Sequence, residues 1–357
     1  MNAAASSTSM LVLVSDSATP CGVEAFARRL AETAGARTHV LDTSASRLAR
    51  ALEGAQALIL NLPVVAWKKR LIEPALAAAV ARRRCADVVV VLHEWDDLDW
   101  KRRASYAPLL PLATAILFSS PEVAAQFAAS PASRLATGMR GIVPIPPNLS
   151  RPAVTTATAH SARVAAEKAA GRLVIGHFGS IYPKKQSTAV LEVAAALRSR
   201  GLDVFCAFVG SFVKGQDRVE EQFRARAAEL GLVDRMMVTG YVATDAEVFG
   251  ILDTCDLFLY SFTEGLTARR GSVLACAMTG RPVIVNAPEK PGAFDHHPTY
   301  QRLIADGSLV LAQYDATPAA LADAIVAARD ARQPLGGVDV AAAWQDAREA
   351  VERIIAR

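Results

Sequence analysis

The chain has 357 residues, 52% of them hydrophobic and 21% charged, with a formal net charge of +4. That length suits two α/β domains better than a single core, and that balance excludes a disordered chain. No apolar run reaches the roughly 18 residues of a membrane-spanning helix, and no basic stretch precedes the first apolar run, so neither a span nor a signal peptide is expected.

Met10 to Val14 is a β-rich run, followed by a polar Pro/Gly loop and a predicted helix from about Val23 to Ala34. Thr38 to Leu41, Ala57 to Leu60, Val88 to Leu92 and Ala115 to Phe118 are further apolar runs of strand length. Ser120 then caps a predicted helix over Pro121 to Ala128, with proline at its first position. Prolines cluster at Pro144, Pro146, Pro147 and Pro152, and Thr/Ala/Ser-rich sequence follows to about Arg163, which marks a domain boundary. The second half repeats the alternation. Leu173 to Phe178, Val204 to Val209, Met236 to Thr239, Leu257 to Tyr260 and Pro282 to Val285 read as strands. Helices are predicted over Thr188 to Arg200, ended by Gly201, over Val219 to Leu230, ended by Gly231, and over Ala341 to Ala356. Strands alternating with helices predict parallel doubly wound sheets. The expected division is an N-terminal domain over 1–150, a linker over 151–170, a C-terminal domain over 171–335, and a last helix over 336–357 that can cross back to the first domain. Two such domains are expected to face a cleft, with ligands at the carboxyl ends of the strands.

The five cysteines, Cys21, Cys85, Cys206, Cys255 and Cys276, are widely spaced with no CxxC pair. This predicts reduced thiols in a cytoplasmic protein, with no zinc site and no disulfide framework. The basic excess lies in residues 1–150, with 16 Lys and Arg against 12 Asp and Glu, and the remainder is balanced at 23 each. Lys68-Lys69-Arg70, Arg82-Arg83-Arg84 and Lys101-Arg102-Arg103 make up much of it. Such triplets suit either a solvated surface or an anionic membrane. They lack interleaved aromatics and any nucleic-acid motif, so nucleic acid is not an expected partner.

The segment from Asp256 to Val285, DLFLYSFTEGLTARRGSVLACAMTGRPVIV, concentrates the chemistry. A strand runs into a loop with Glu264, Gly265, Arg269, Arg270 and Gly271, and Ser272 is placed to cap a helix running to Met278. A helix N-terminus presents unpaired N–H groups and partial positive charge, which suits a diphosphate. The two arginines add bidentate phosphate donors, and Glu264 can accept from sugar hydroxyls. An ordinary β–loop–α connection with surface arginines is the competing reading. His93-Glu94 ends a buried strand and opens a loop with Trp95, Asp96 and Asp97. A histidine at a parallel strand's carboxyl end is either structural or catalytic. The pair lacks the second histidine of a zinc-protease helix, so no metal is expected. His296-His297 reads as surface.

Glu264-Gly265 and Ala277-Met278-Thr279-Gly280-Arg281-Pro282-Val283-Ile284 resemble the opening and close of the donor-binding signature of the retaining GT-B glycosyltransferases of family 4, E-G-F-G-L-P-x-x-x-E-A-M-A-x-G-x-P-V-I. The family's second glutamate, which holds the nucleotide ribose, falls at Ala275, with about three extra residues after Glu264. Gly265 with Arg269 to Ser272 is similar to a G-x-x-x-R-R-G-S variant in bacterial polysaccharide enzymes. GHFGSIYPKKQ, Gly176 to Gln186, resembles the family's G-R-L-x-x-x-K-G loop. This resemblance implies a diphosphate role for Lys185, with Lys184 second, and nucleotide contacts at Gly179 and Ser180. The family's arginine falls at Ser180, so Arg269 or Arg270 is expected to supply that cation. FVGS, Phe208 to Ser211, and TGYVATDAEV, Thr239 to Val248, resemble the segments that follow, with backbone at Tyr241-Val242 near the base. Pro20-Cys21-Gly22-Val23 resembles the family's glycine loop, which would bring Gly22 to the donor phosphate or acceptor; a plain tight turn is the alternative. Pro144-Ile145-Pro146-Pro147-Asn148 resembles the I-P-N segment before the interdomain linker.

The resemblance covers about residues 10 to 330. It implies that His93 meets the transferred sugar and joins Glu264 as a catalytic candidate; the neighbouring Glu94 or Asp96 is the candidate acceptor base by position alone. It further implies a GT-B fold of two Rossmann-like domains and transfer of a sugar from a nucleotide-sugar to a glycan or lipid-linked acceptor. Retention of configuration, no metal and no cofactor beyond the donor substrate are expected with it. Cell-envelope or exopolysaccharide synthesis at the inner face of the plasma membrane is the setting expected. A nucleotide-sugar epimerase of the same fold, and a non-catalytic nucleotide-sugar binder, are the alternatives.

Overall fold

Short Val-, Leu- and Ile-rich runs, too brief for helices and apolar on both faces, become strands buried on both sides. A computed structural model describes residues 9–17, 21–84, 86–213, 218–330 and 336–356. Pro20, Cys85 and the expected boundary at 335 lie outside the described residues, as does the side chain of Lys184. The chain divides into two units, one running to Asn148 and taken up again from Ala341, the other spanning Leu149–Val340.

In the first unit the elements are β1 (Met10–Val14), α1 (Gly22–Ala34), β2 (Arg37–Val40), α2 (Ala45–Ala51), β3 (Ala57–Leu62), α3 (Glu73–Arg83), β4 (Asp87–Leu92), α4 (Trp100–Tyr106), β5 (Ala115–Phe118), α5 (Pro121–Ala129) and β6 (Met139–Ile142). The strands form one parallel sheet in the order β2-β1-β3-β4-β5-β6. Ser120 caps α5, its Oγ accepting from Val123 N at 3.4 Å. α13 (Val340–Ile355) closes this unit. Its apolar stripe of Ala343, Trp344, Ala347, Ala350, Val351 and Ile354 is buried, and Trp344 packs 5.4 Å from Phe26 of α1.

The second unit contains α6 (Ala159–Ala169), β7 (Leu173–Phe178), α7 (Ser187–Ser199), β8 (Val204–Val209), α8 (Val219–Glu229), β9 (Met236–Val238), α9 (Asp245–Leu252), β10 (Leu257–Tyr260), α10 (Gly271–Ala277), β11 (Val283–Asn286), α11 (Pro298–Ala305), β12 (Leu309–Ala312) and α12 (Pro318–Asp330). Its parallel sheet has the order β12-β11-β10-β7-β8-β9. The stretch read as a linker over 151–170 is corrected here, because it carries α6. Thr158 and Ser161 form a reciprocal capping box, and Val164 is fully buried in the unit's core. One reciprocal capping box and one anchoring valine outweigh a linker-like composition.

Each sheet reverses its winding once, between β1 and β3 in the first unit and between β7 and β10 in the second. At such a reversal adjacent loops leave the sheet on opposite faces and open a crevice at the strands' carboxyl ends. Residues 15–17 and 63–72 border it in the first unit, and residues 179–186 and 261–270 in the second.

Candidate functional site

In the second unit, the loop after β7 turns at Gly179, whose φ of 111° favours glycine. A Cβ built there would collide with Lys185 Nζ. The absence of a side chain therefore lets backbone lie against an ammonium. Lys185 is 6% exposed, its ammonium lies 5.8 Å from the Tyr182 ring centroid, and among the described residues it has no ion-pair partner. Burial and then the neighbouring Arg270 charge lower its pKa to about 8. Lys185 is therefore not a solvated surface lysine.

Beneath it, His177 is buried on β7. Its Nδ1–H donates to Leu259 O at 2.9 Å, and its Nε2 accepts from Ser187 Oγ at 3.3 Å. Burial, and after it the Lys185 charge, push its pKa down to about 3, so it is neutral. Tyr260 OH donates to Phe178 O at 2.9 Å and meets Ser272 O at 3.2 Å and Cys276 Sγ at 3.2 Å. Burial keeps the Cys276 thiol neutral, with its pKa pushed up to about 12. These residues bind the end of β7 to the start of α10. Neither His177 nor Tyr260 is identified by sequence reasoning, since each occupies a strand position that reads as core. Gln186 adopts left-handed backbone at φ 41°, and its Oε1 accepts from Ser261 Oγ at 2.8 Å.

The loop after β10 brings Arg270 to the same end of the sheet. Its guanidinium donates to Tyr182 OH at 3.0 Å, pairs with Glu264 at 2.5 Å and lies 4.5 Å from the Phe262 ring centroid. Glu264 is consequently held by an arginine, where the sequence reading leaves it open for sugar hydroxyls. Ser272 is not the cap of α10: the N-cap is Arg270 with no side-chain cap bond, and Ser272 lies inside the first turn of a seven-residue helix. Gly271, Ser272 and Arg269 are half-buried. Ala275 is fully buried, so the place of the family's second glutamate faces core. His297 is also buried, edge-on to Tyr300 at 4.7 Å, which corrects its reading as surface.

Beyond Gly179, the carboxyl ends of β8 and β9 open on a cavity of about 880 Å³ lined by Phe212, Arg218, Arg224, Thr239 and Gly240 among others. Ile181 pairs with Phe212 in an isolated bridge, which joins this cavity's rim to the Lys185 loop. Tyr241 is 75% exposed and does not line it, Val242 is half-buried, and Ser180 is exposed. A second cavity, of about 860 Å³, opens at the opposite, amino end of the sheet. Its charges largely neutralise one another, as in Lys168–Asp256 at 2.5 Å and Arg172–Asp203 at 3.1 Å.

In the first unit, His93 follows β4 and is buried. Its Nε2–H donates to Asn61 Oδ1 at 3.2 Å, its ring stands edge-on to Phe26 at 5.0 Å, and Ser119 Oγ donates to its carbonyl at 2.9 Å. Asn61 Nδ2 is buried without a partner. Glu94 is half-buried, while Asp96 is exposed and 4.0 Å from Arg103. Gly22 opens α1 and is not a positive-φ turn. The loop before it is anchored by Glu24, which accepts from Ser15 N at 2.9 Å and pairs with Arg28 at 2.9 Å. Asn61 and Glu24 are the side chains that sequence reading misses here. Among the described residues, no cluster of His, Cys, Asp and Glu could hold a metal ion, and no helix is long and apolar enough to cross a membrane.

Two parallel six-stranded sheets, each with a crevice at its carboxyl ends, define the GT-B fold of glycosyltransferases. The chain is similar over 97% of its length to 95% of Anabaena HepE in complex with UDP and glucose, at 16% identity and a TM-score of 0.61. It is similar over 98% of its length to 94% of a glycosyltransferase from Rickettsia africae, at 12% identity and a TM-score of 0.58. The E. coli trehalose-6-phosphate structure bound with UDP-2-fluoro glucose matches at 11% identity and a TM-score of 0.56, covering 97% of this chain and 96% of that one. No protein-family model and no curated protein matches the sequence.

Proposed function

We propose that the protein is a glycosyltransferase that moves a sugar from a nucleotide-sugar onto a glycan or lipid-linked acceptor. One observation carries this reading: Lys185 is a buried ammonium with no counter-anion, lying against the bare backbone of Gly179 and facing a second cation, Arg270. A buried unpaired charge costs several kcal/mol, and a diphosphate at this crevice is the ligand that offsets the cost. The cavity at the ends of β8 and β9 suits the nucleoside, with backbone at Thr239 and Gly240 on its wall. UDP and UDP-glucose in the complexes of HepE support a uridine diphosphate sugar as donor.

As the bond from the anomeric carbon to the diphosphate oxygen breaks, negative charge grows on the leaving group. Lys185 and Arg270 stabilise it, and the anomeric carbon bonds to the acceptor oxygen. The acceptor proton passes to the departing phosphate or to a carboxylate, for which Glu94 and Asp96 are the candidates. His93 and Glu264 are assigned the sugar hydroxyls on the family resemblance, as is retention of configuration, and the setting is cell-envelope or exopolysaccharide synthesis. No metal is required where two cations meet the diphosphate. Ala275 favours a second reading, a non-catalytic nucleotide-sugar binder, since no glutamate reaches the ribose from α10.

The test is a thermal-shift panel of UDP-, GDP-, ADP- and TDP-sugars, followed by product analysis with and without acceptors. A ligand at a hundred times its Kd adds about 2.7 kcal/mol. Stabilisation by none of the four overturns the donor assignment, and stabilisation without transfer across acceptors selects the binder.

A further inference from the structure

Two cations share the second unit's crevice, and the side chain of Tyr182 meets both. The sequence Tyr182-Pro183-Lys184-Lys185 folds into one 3-10 turn over Pro183–Lys185, with Tyr182 as its N-cap and Lys185 N donating to Tyr182 O at 3.0 Å. Proline fixes the first φ of such a turn, and the turn brings residues three apart onto one side. The Lys185 ammonium accordingly stands 5.8 Å from the Tyr182 ring centroid. Ile181, just before, is tied to the segment after β8: its N–H donates to Ser211 O at 2.9 Å, and it bridges to Phe212. The ring is thus carried on fixed backbone. At its far end the hydroxyl accepts from Arg270 Nη1 at 3.0 Å.

The face of an aromatic ring attracts an ammonium without consuming any of its hydrogen-bond donors. Phenylalanine would supply the same face, so the hydroxyl needs its own account. A phenol oxygen that accepts from a guanidinium keeps its own hydrogen, and polarisation by the cation makes that hydrogen a stronger donor. Among the described residues no acceptor takes it, and the carboxylate of Glu264 bonds Arg270 Nη2 instead. We propose that Tyr182 is a further catalytic residue, whose hydroxyl donates to the sugar nucleotide's diphosphate between Lys185 and Arg270. The proton stays on the phenol throughout. The β-phosphate of a nucleotide-sugar is esterified at the oxygen that the free diphosphate carries as a charge. A donor aimed there binds the departing group better than the substrate, which lowers the barrier. The inference rests on the donor reading and adds a neutral donor to its two cations.

Tyr182→Phe keeps the ring over Lys185 and removes the hydroxyl. Titration calorimetry should show UDP bound about tenfold more weakly, the order of one hydrogen bond to a charged group, and UDP-glucose weakened by much less. Transfer should slow by a similar factor to the loss in UDP affinity, with the fold intact by circular dichroism. A hydroxyl that merely steadied Arg270 would move both ligands alike. Replacing Tyr182 by 3-fluorotyrosine separates the two roles further, at a pH below the fluorophenol's own pKa. Fluorine makes the hydroxyl a stronger donor and a weaker acceptor, so UDP should bind more tightly to the fluorinated protein. Unchanged or weaker UDP binding there overturns the inference, as do Tyr182→Phe losses that are nil, or equal for UDP and UDP-glucose. In each of these cases, wild-type binding of UDP leaves the donor reading standing. A wild-type chain that binds neither UDP nor any of the sugar nucleotides fails that reading and this inference together.

Discussion

The carboxyl-end crevices of the two units differ in what fills them. In the second unit, Arg270 is bonded to Tyr182 and Glu264 beside the Lys185 ammonium, while Tyr260 and His177 fix the strand end beneath it. In the first, the His93 ring meets Asn61 and its carbonyl accepts from Ser119, and the nearby carboxylates are more exposed. A pyrophosphate is the same in every nucleotide-sugar and rewards a fixed cationic cradle. On the function proposed above, the first unit would meet acceptors, which vary, and neutral hydrogen-bonding groups suit such variation.

Four outcomes would sharpen or break this contrast. The largest effect is expected from Lys185→Met, which should cut transfer about a hundredfold or more, of the order of one lost oxyanion donor. The same change removes an unpaired buried charge, so the ligand-free protein should gain thermal stability while losing its response to UDP. A variant that keeps near-wild-type transfer would dissolve the cradle. Gly179→Ala should come next. Its Cβ displaces the ammonium and its backbone is strained, so calorimetry should record UDP affinity lower by about tenfold or more, with the fold intact by circular dichroism. His93→Ala should reduce transfer by roughly ten- to a hundredfold while leaving UDP affinity unchanged. Loss of UDP binding in that variant would erase the distinction between the units.

The smallest effect is one of pH. The folded pKa of Lys185, about 8, lies below the ordinary lysine value of 10.5, so between these pH values the unfolded chain binds more protons. The penalty of burying the charge is present below about pH 8 and is relieved as pH rises toward 10.5. A diphosphate wants the protonated form, so UDP affinity should fall above about pH 8, and binding there should take up a proton. Calorimetry in two buffers of different ionisation enthalpy reads that uptake, which Lys185→Met should abolish.

Much of the second unit is legible from the sequence because each apolar run is flanked by glycine or a capping residue. The loop from Glu264 to Gly271 stands out by residue type as a candidate phosphate site. What is not legible follows from distance in the chain. The Arg270–Glu264 pair turns two independent assignments into one, and only the folded loop brings them together. His177 and Tyr260 sit inside apolar strands, where a polar side chain has no local signature. β6, with the sequence MRGI, lacks the apolar run that marks a strand and pairs because β5 offers it an edge. β12 is four residues long and was not separable from the loops around it. The helix α6 is hidden in a composition shared with linkers, and the capping pair Thr158–Ser161 is its only local mark.

The return of the chain in α13 has a consequence for synthesis. Trp344 supports Phe26, whose ring in turn supports His93, and Ile354 lies under Gly141 of β6. A ribosome delivers those residues after the whole of Leu149–Val340, at roughly 5–20 residues per second, so the first unit is completed only after all of the second has emerged. The second unit matures as one uninterrupted segment while its predecessor waits with an open flank, so a nascent chain lacking its last turns would carry a finished cradle beside an unfinished partner.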